Sequence, residues 1–379
     1  MRAAVLEEFD RPLAIRDFEP PKLEAGQVLV KMLAAGVCGS DIHMWRGKDP
    51  RTPLPTILGH EGVGAVVEIG GVRKIASVTG REIRPGDRII WDRGVTCGRC
   101  YFCAVLEQPN LCPDRWVYGI SRSSADPPHL VGCYADHIVL FPNTSIFHLD
   151  EFPGPSDALF ASASCSGATA ASAIELARIR PGDTVLVQGS GPLGLFLAAF
   201  ASRVGAGKVI VVGGSPESLS LASKLGAEMT ISHRDTTTSE RIETIREAIR
   251  DCAPHGADVV LESAGNPESV NEGIAVLRTG GAYIATGFAV PGAVVSLDCY
   301  HEIVRKHLTL QGVWVSHAEH LREALSMISA APAPFEGMVT HRFPLEQATD
   351  ALRAMETRKA IKSAIVFGNT PRLSRRGGS

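Results

Sequence analysis

The second half of the chain alternates apolar strands with amphipathic helices, and this alternation constrains the fold more than any other feature. Strands that are apolar along their whole length are buried on both faces, as in a parallel sheet covered by helices. Right-handed crossovers between six such strands build a doubly wound α/β sheet. The predicted strands are 184–187, 209–212, 229–231, 258–261, 282–285 and 308–310, and the predicted helices are 193–204, 217–225, 239–252 and 267–277.

A glycine-rich stretch, Gly189-Ser190-Gly191-Pro192-Leu193-Gly194, joins the first of these strands to its helix. Gly189 permits a tight turn, Gly191 lets the backbone approach a pyrophosphate, and Gly194 lets the helix pack closely on the strand. The pyrophosphate then lies at the helix N-terminus. Because βα units surround the stretch, a dinucleotide site is favoured over a purely structural glycine turn.

The turn after the second strand reads Val212-Gly213-Gly214-Ser215-Pro216, with no carboxylate before Glu217. An acidic residue in this turn would bind the ribose 2′-hydroxyl of NAD. Its absence removes a repulsion against the 2′-phosphate of NADP, which Ser215 could bind. No Arg or Lys stands in the turn, and Arg234 lies at the end of the next strand. The sequence slightly favours NADP and leaves NAD open.

The first part of the chain has a different pattern, with short β-segments at 28–33, 64–69 and 87–91 separated by Gly and Pro. This pattern indicates a mainly β domain. After about residue 315, two helices at 317–329 and 345–355 and a strand at 362–367 are too little for a third domain. We therefore predict a β domain at 1–166, a dinucleotide-binding domain at 167–314, a return to the first domain at 315–368, and a disordered tail at 369–379.

Four cysteines form the strongest local signal, in the pattern Cys97-x-x-Cys100-x-x-Cys103 followed by Cys112. Four thiolates close a tetrahedral shell around Zn²⁺ and leave no position for a substrate. The spacing therefore predicts a structural zinc in a lobe at about 93–116, rather than scattered thiols.

A second group of metal ligands is dispersed along the chain. Cys38 and His60, with Cys165 where the β pattern gives way to the parallel sheet, would leave one tetrahedral position open, as a catalytic zinc requires. Glu61 could be a ligand or a group that orients one. Taken singly, each of these residues is more often a packed or surface residue, and only their combination points to a metal.

Other polar and aromatic residues have alternative interpretations. Trp45, Trp91 and Trp314 could line a substrate site or simply pack in the core. His317 and His320 have helical spacing that permits a metal, but such pairs more often mark a solvated face. The three remaining cysteines read as plain thiols, namely Cys133, Cys252 and Cys299.

Composition excludes several classes of function. The chain has 45% hydrophobic and 21% charged residues and a net charge of −3, so we expect no nucleic-acid partner. No apolar run approaches the roughly 18 residues of a membrane span, and the N-terminus lacks the pattern of a signal peptide, so we expect a cytoplasmic protein. The nine cysteines are odd in number and clustered, which favours metal binding over disulfides.

Together these motifs resemble the zinc-dependent medium-chain alcohol dehydrogenase family, of the medium-chain dehydrogenase/reductase superfamily. The resemblance runs from Gly26 to Phe367, and the stretch from Gly36 to His43 carries it along with the motifs above. The wide gap between the last two lobe cysteines and the run from Asp126 to Leu130 resemble a bacterial branch that includes 5-exo-hydroxycamphor dehydrogenase.

The resemblance implies a GroES-like catalytic domain joined to a Rossmann domain, with two Zn²⁺ per chain and NAD(P)⁺. It implies that Cys38, His60 and Cys165 bind the catalytic zinc, that Glu61 exchanges with a ligand, and that Ser40 passes a proton to His43. It further implies assembly as a homodimer or homotetramer. The implied cofactor-binding residues are Thr169, Gly189, Gly191, Pro192, Leu193, Gly194, Gly213, Ser215, Lys362 and the backbone of Val313 and Val315.

The expected activity is hydride transfer between NAD(P)⁺ and a secondary alcohol, with cyclic or bulky alcohols in range, giving a ketone or aldehyde. One alternative is an NADPH-dependent carbonyl reductase of a biosynthetic pathway that uses the same site in reverse. Another is a non-catalytic nucleotide- or zinc-binding protein built on the same fold.

Overall fold

The computed structural model describes residues 1–71 and 74–368, and the predicted tail at 369–379 lies outside the described residues. The strands are β1 Arg2–Leu6, β2 Ala14–Asp17, β3 Val28–Val37, β4 Thr56–Ile57, β5 Glu61–Ile69, β6 Arg88–Trp91, β7 Gly94–Val95, β8 Trp116–Val117, β9 His137–Leu140, β10 Ile146–His148, β11 Thr184–Gln188, β12 Lys208–Gly213, β13 Met229–Ser232, β14 Ala257–Glu262, β15 Leu277–Ala285, β16 Thr309–Gly312, β17 Val339–Phe343 and β18 Lys362–Val366. The helices are α1 Gly39–Trp45, α2 Tyr101–Ala104, α3 Asp157–Ser162, α4 Ala168–Ala177, α5 Pro192–Arg203, α6 Pro216–Lys224, α7 Thr238–Ile249, α8 Pro267–Val276, α9 Ala318–Ala330, α10 Pro332–Glu336 and α11 Ala348–Glu356.

The six strands of the second half form one parallel sheet in the order β13-β12-β11-β14-β15-β16. This is the doubly wound order. Strands β12 and β13 are added on one side of β11, and the next three strands are added on its other side. All five residues of the central strand β11 are buried, as the continuous apolar pattern predicts. The predicted Rossmann sheet is confirmed, and its strands begin and end within a few residues of their predicted positions, except that β15 begins five residues early.

The first part of the chain builds a mainly antiparallel sheet in the order β10-β6-β5-β3-β18-β17, with β9 also paired to β3. The last strand, β18, pairs antiparallel with β3 through Ser363 opposite Val37. The C-terminal segment therefore completes the β-rich sheet, in agreement with the prediction that it is too short for a third domain and returns to the first. The domain boundaries themselves stay a prediction.

Three parts of the fold differ from the sequence-based expectation. Helices α3 and α4 are continuous through a π-helical segment at Ala163–Gly167, so helix begins well before residue 166. The short helix α1 follows β3 directly. The C-terminal segment also contains strand β17 and helix α10 in addition to the predicted elements.

The helical run α3–α4 lies against both halves of the molecule. Helix α3 contacts β3 and β5 of the β-rich sheet, and α4 contacts α5 of the doubly wound half. Phe160 and Phe196 belong to a core cluster that joins the two halves. The π-helical segment therefore lies at the junction of the two halves. Among the described residues, no helix is both long and apolar enough to cross a membrane.

Candidate active site

Cys38, His60 and Cys165 come together at the junction of the two halves. Their ligand atoms and a Glu61 carboxylate oxygen all lie within 4.8 Å of one another. The Cys38 and Cys165 sulfurs are 3.9 Å apart. Two sulfurs bound to one zinc at about 2.3 Å in tetrahedral geometry lie about 3.8 Å apart. The residues therefore fit a zinc ion, and the donor set of two thiols and an imidazole suits it.

Each ligand is positioned by a different element. Cys38 immediately follows strand β3 and is the N-cap residue of helix α1, while His60 immediately precedes β5. Because β3 and β5 are neighbours in the sheet, with Gly36 opposite Glu61, the two ligands meet at one end of it. Cys165 comes from the π-helical segment. Short π-helical turns within α-helices often occur at functional sites.

Asp41 orients this cluster, although the sequence analysis did not single it out. Its carboxylate is fully buried and accepts hydrogen bonds from the Cys38 amide at 2.8 Å and the Tyr134 hydroxyl at 3.0 Å. It also lies 3.2 Å from Nδ1 of His60. With Nδ1 directed at the carboxylate, Nε2 of His60 is the nitrogen left to bind a metal.

Lys362 and Glu61 form a buried ion pair beside the cluster. The Lys362 ammonium lies 2.7 and 2.8 Å from the two carboxylate oxygens, and both residues are almost completely buried. Burial raises the pKa of Glu61 to about 7, although the lysine opposes this shift. The structure thus directs the Lys362 side chain to Glu61, and its predicted contact with a pyrophosphate stays a prediction.

The two thiols differ in acidity because they share a hydrogen bond. The bond from Cys165 holds the pKa of Cys38 well below its usual value, with His60 and Lys362 adding to the effect. The same bond and burial raise the pKa of Cys165 well above its usual value. One thiolate is thus favoured before a metal binds, and thiolate is the form that binds zinc.

Ser40 and His43 lie on helix α1, three residues apart and hence on the same face. The Ser40 hydroxyl is 3.8 Å from the Cys38 sulfur. Burial lowers the pKa of His43, with the charge of Lys48 adding to the effect, so its ring is neutral near pH 7. Both side chains are half-buried. A neutral, partly exposed imidazole is suited to accepting a proton and releasing it to water.

The four lobe cysteines also converge. The sulfurs of Cys100 and Cys103 are 3.5 Å apart, and those of Cys97 and Cys112 are 3.6 Å apart. All four ligand atoms lie within 4.8 Å of one another. A hydrogen bond from the Arg99 amide lowers the pKa of the Cys97 thiol to about 7, and the Cys100 amide, which donates to the same sulfur at 3.3 Å, adds to this effect. These residues fit a second, closed zinc site.

The glycine-rich turn has the geometry that a dinucleotide needs. Gly189 has a φ of 106°, in the region that only glycine adopts easily. A Cβ on Gly194 would lie 1.8 Å from the Gly189 carbonyl oxygen, so a side chain there would separate helix from strand. At Gly191 no atom lies within 4 Å of such a Cβ. Pro192 and Leu193 then open α5, whose first amides have no side-chain cap.

The turn after β12 contains Gly213, Gly214 and Ser215. A Cβ on Gly214 would lie 2.7 Å from Nε2 of His233 and 3.5 Å from Nε of Arg234. These two exposed side chains therefore flank the turn, although the sequence places them after the next strand. The Ser215 hydroxyl caps α6 by accepting a hydrogen bond from the Ser218 amide.

Of the residues predicted to line the nicotinamide, Val313 and Val315 lie just after β16 and Thr169 lies in α4. Val313 donates its amide to the Ala285 carbonyl just after β16. Val315 has a φ of 54°, which is strained for a β-branched residue and is the kind of outlier found at functional sites. The Thr169 hydroxyl accepts a hydrogen bond from Arg93 at 3.2 Å. Arg93 is a second buried polar residue whose role the sequence did not indicate.

Most of the aromatic and histidine residues for which the sequence left two interpretations open have a packing or surface role. Trp45 and Trp91 are buried at 1% exposure and pack in the β-rich core. Trp314 is 48% exposed, and the Arg51 guanidinium lies 5.4 Å from its ring. His320 is 2.7 Å from the Glu175 carboxylate, and neither it nor His317 belongs to a metal-type cluster within the described residues.

Two family models match the chain. An alcohol dehydrogenase GroES-like domain matches residues 24–151, and a zinc-binding dehydrogenase domain matches residues 192–330. The 5-exo-hydroxycamphor dehydrogenase of Pseudomonas putida is 30% identical over 96% of this chain and 98% of that protein.

Two solved structures are also similar. An alcohol dehydrogenase from Thermotoga maritima is 44% identical with a TM-score of 0.90, over 96% of this chain and 98% of that one. A zinc-binding dehydrogenase from Sinorhizobium meliloti, solved bound to NADP, is 27% identical with a TM-score of 0.81, over 97% and 99% of the respective chains.

Proposed function

The chain belongs to the zinc-dependent medium-chain alcohol dehydrogenase family and is an NAD(P)-dependent oxidoreductase, and from this premise we propose that it oxidises a secondary alcohol to a ketone. Cyclic and bulky alcohols fall within the proposed range, a choice that the similarity to 5-exo-hydroxycamphor dehydrogenase supports. The observation that carries the proposal is the meeting of Cys38, His60 and Cys165 at the junction of the two halves.

In the proposed site, Cys38, His60 and Cys165 hold the catalytic zinc, while the four lobe cysteines hold a second, structural zinc. A catalytic zinc supplies Lewis acidity that makes an alcohol hydroxyl acidic near neutral pH. Asp41 orients His60, and Glu61 is the carboxylate close enough to exchange with a ligand. The buried Lys362 balances the charge of Glu61.

The proton and the hydride leave the substrate along different routes. We assign the first proton acceptor to Ser40 and the next to His43, which is half-exposed and releases the proton to water. Thr169 and the backbone of Val313 and Val315 hold the nicotinamide that receives the hydride. Gly189, Gly191, Pro192, Leu193 and Gly194 cradle the pyrophosphate. Assembly as a homodimer or homotetramer stays part of the proposal.

For the nucleotide we propose a preference for NADP. The absence of an acid in the Gly213 turn and the closeness of His233 and Arg234 to Gly214 support it, since the Arg234 guanidinium attracts a 2′-phosphate and an imidazole N–H can donate a hydrogen bond to it. The similar Sinorhizobium enzyme was solved bound to NADP, which supports the same choice.

We expect Arg234→Ala to lower the ratio of kcat/KM for NADP to that for NAD about 10- to 100-fold, because one charge-assisted contact to a phosphate contributes roughly 1.5–3 kcal/mol. Steady-state kinetics with both nucleotides measures the ratio. Arg250→Ala, which removes a charge at the far end of α7, should leave it unchanged. An unchanged ratio in Arg234→Ala would exclude this arginine. A Gly213→Asp change is less informative, since its Cβ would lie 2.1 Å from the Ser190 hydroxyl.

The experiment that tests the activity is a panel of primary, secondary and cyclic alcohols, with the matching ketones and aldehydes, against NAD(H) and NADP(H). We expect secondary alcohols to give the highest kcat/KM. A biosynthetic carbonyl reductase is the rival candidate, and a marked preference for NADPH and ketone would favour it. Nucleotide and zinc binding without turnover of any compound would favour the non-catalytic alternative.

A further inference from the structure

Arg93 is a buried cation at the junction of the two halves. It lies just after β6 and is only 3% exposed. Its Nη1 donates a 2.8 Å hydrogen bond to the Ser164 carbonyl, and its Nη2 donates one of 3.2 Å to the Thr169 hydroxyl. Ser164 is adjacent to the proposed zinc ligand Cys165, and Thr169 is the residue proposed to contact the nicotinamide. The guanidinium therefore contacts one residue that adjoins a proposed zinc ligand and one that is proposed to contact the nicotinamide.

The protein uses only part of the hydrogen-bonding capacity of this group. A guanidinium has five N–H donors, and those two bonds are its only ones to the part of the chain that the structure describes. Within the same residues, no carboxylate lies within 4.0 Å of Arg93. A buried charge with unused donors is unfavourable unless a further partner binds it.

The negative groups near Arg93 are already committed elsewhere. Burial acts against its charge, but Cys165, Asp92, Cys38 and Glu61 together raise its pKa, so it stays ionised. The two cysteines are proposed zinc ligands, and Glu61 is paired with Lys362. Asp92 accepts a hydrogen bond from the Gly94 amide. None of them gives Arg93 a direct ionic partner.

A second cation increases the positive charge on this side of the site. Burial and the nearby charges of Arg93 and Arg51 lower the pKa of Arg115 to about 10, although Asp92 acts in the opposite direction. One amino group of Arg115 is buried without any hydrogen-bond partner within the described structure. Arg51, in contrast, is paired with Asp49 at 2.6 Å. Asp92 thus acts on both Arg93 and Arg115, and its one negative charge does not neutralise the two cations.

We propose that Arg93 binds a carboxylate of the substrate, so that the enzyme acts on a hydroxy acid and its keto acid. The planar guanidinium matches a carboxylate with two parallel hydrogen bonds, and the negative charge of that carboxylate compensates the charge of Arg93. The reaction remains that of the proposed function, on which this inference rests. The carbinol loses a hydride to the nicotinamide and a proton to solvent, while the carboxylate is unchanged.

The test compares substrates that differ only in the carboxylate, such as 3-hydroxybutanoate and 2-butanol, with 2-hydroxybutanoate and 4-hydroxypentanoate to vary its distance. We expect the preferred hydroxy acid to exceed its neutral counterpart at least tenfold in kcat/KM. Arg93→Met should lower that ratio about 10- to 100-fold, because it removes a hydrogen bond between charged groups. In Arg93→Lys the ratio should lie between those of the wild type and Arg93→Met. Arg84→Met, at an exposed surface pair, is the matched control and should leave the ratio unchanged.

A purely structural role would lower kcat/KM for both members of each pair alike, and a role in nucleotide binding would raise only the KM for the nucleotide. Either result overturns the proposal. It is also overturned if the wild-type kcat/KM for the neutral alcohols equals or exceeds that for every hydroxy acid. That last outcome leaves the alcohol dehydrogenase assignment intact, whereas no turnover of any alcohol defeats that assignment as well. If Arg93→Met does not fold, the test is inhibition of the wild type by butanoate. Inhibition that is competitive with the alcohol supports a carboxylate site, and the absence of inhibition contradicts it.

Discussion

Cys38→Ser lowers turnover by about a thousandfold or more while the protein stays folded. The substitution removes one of the two sulfurs that lie 3.9 Å apart in the ligand cluster. A serine hydroxyl is not ionised near pH 7 and is a poor zinc ligand, so the site loses a metal whose contribution is several kcal/mol to the reaction. Steady-state kinetics gives the turnover, and elemental analysis gives the zinc content.

The metal content makes this prediction specific. We expect the wild type to hold two zinc ions per chain and Cys38→Ser to hold one, because the lobe cysteines form a separate cluster. Cys299→Ser is the matched control, since Cys299 is exposed and belongs to neither cluster. It should keep full activity and both ions. Retained activity with two zinc ions in Cys38→Ser would refute the assignment of Cys38 as a ligand.

The doubly wound sheet could be predicted because its determinants are local. The buried strands β11 and β12 are almost continuous apolar runs, and the glycines at 189 and 194 fall in the turn where the backbone conformation and the close packing require them. The lobe cysteines are equally local, because their spacing alone brings four sulfurs together. Patterns of this kind do not depend on the rest of the fold.

The helical run α3–α4 was harder to predict because it has no polar face to reveal a period. Its middle part is buried all round between the two halves, and the alanines and serines there have no strong strand or helix pattern. The sequence indicated that Cys165 lies at the junction. It did not indicate the π-helical segment that aims this cysteine at Cys38.

Asp41, Arg93 and the partner of Lys362 depend on contacts between distant parts of the chain. Asp41 contacts His60 and Tyr134, which lie 19 and 93 positions away in the sequence, and Lys362 contacts Glu61 across 301 positions. Arg93 donates to a main-chain carbonyl of the π-helical segment. No local spacing encodes such partners, so these parts of the site became visible only in the folded structure.

Lys362→Met is expected to destabilise the β-rich half by about 3–5 kcal/mol. The substitution keeps a long apolar side chain but leaves the Glu61 carboxylate buried without its cation, and breaking one side of a buried ion pair has this effect. Guanidinium unfolding followed by tryptophan fluorescence measures it, because Trp45, Trp91 and Trp116 all lie in this half.

The matched control is Arg81→Met, which breaks an exposed pair with Asp150 and should change stability by less than about 1 kcal/mol. The double variant Lys362→Met/Glu61→Gln should recover much of the lost stability, since it removes the unpaired charge that causes the loss. If the double variant is instead as unstable as the sum of the two single variants, the two residues act independently. In that case the effect of Lys362 lies in its packing, and the buried ion pair does not hold the last strand against the zinc-binding end of β5.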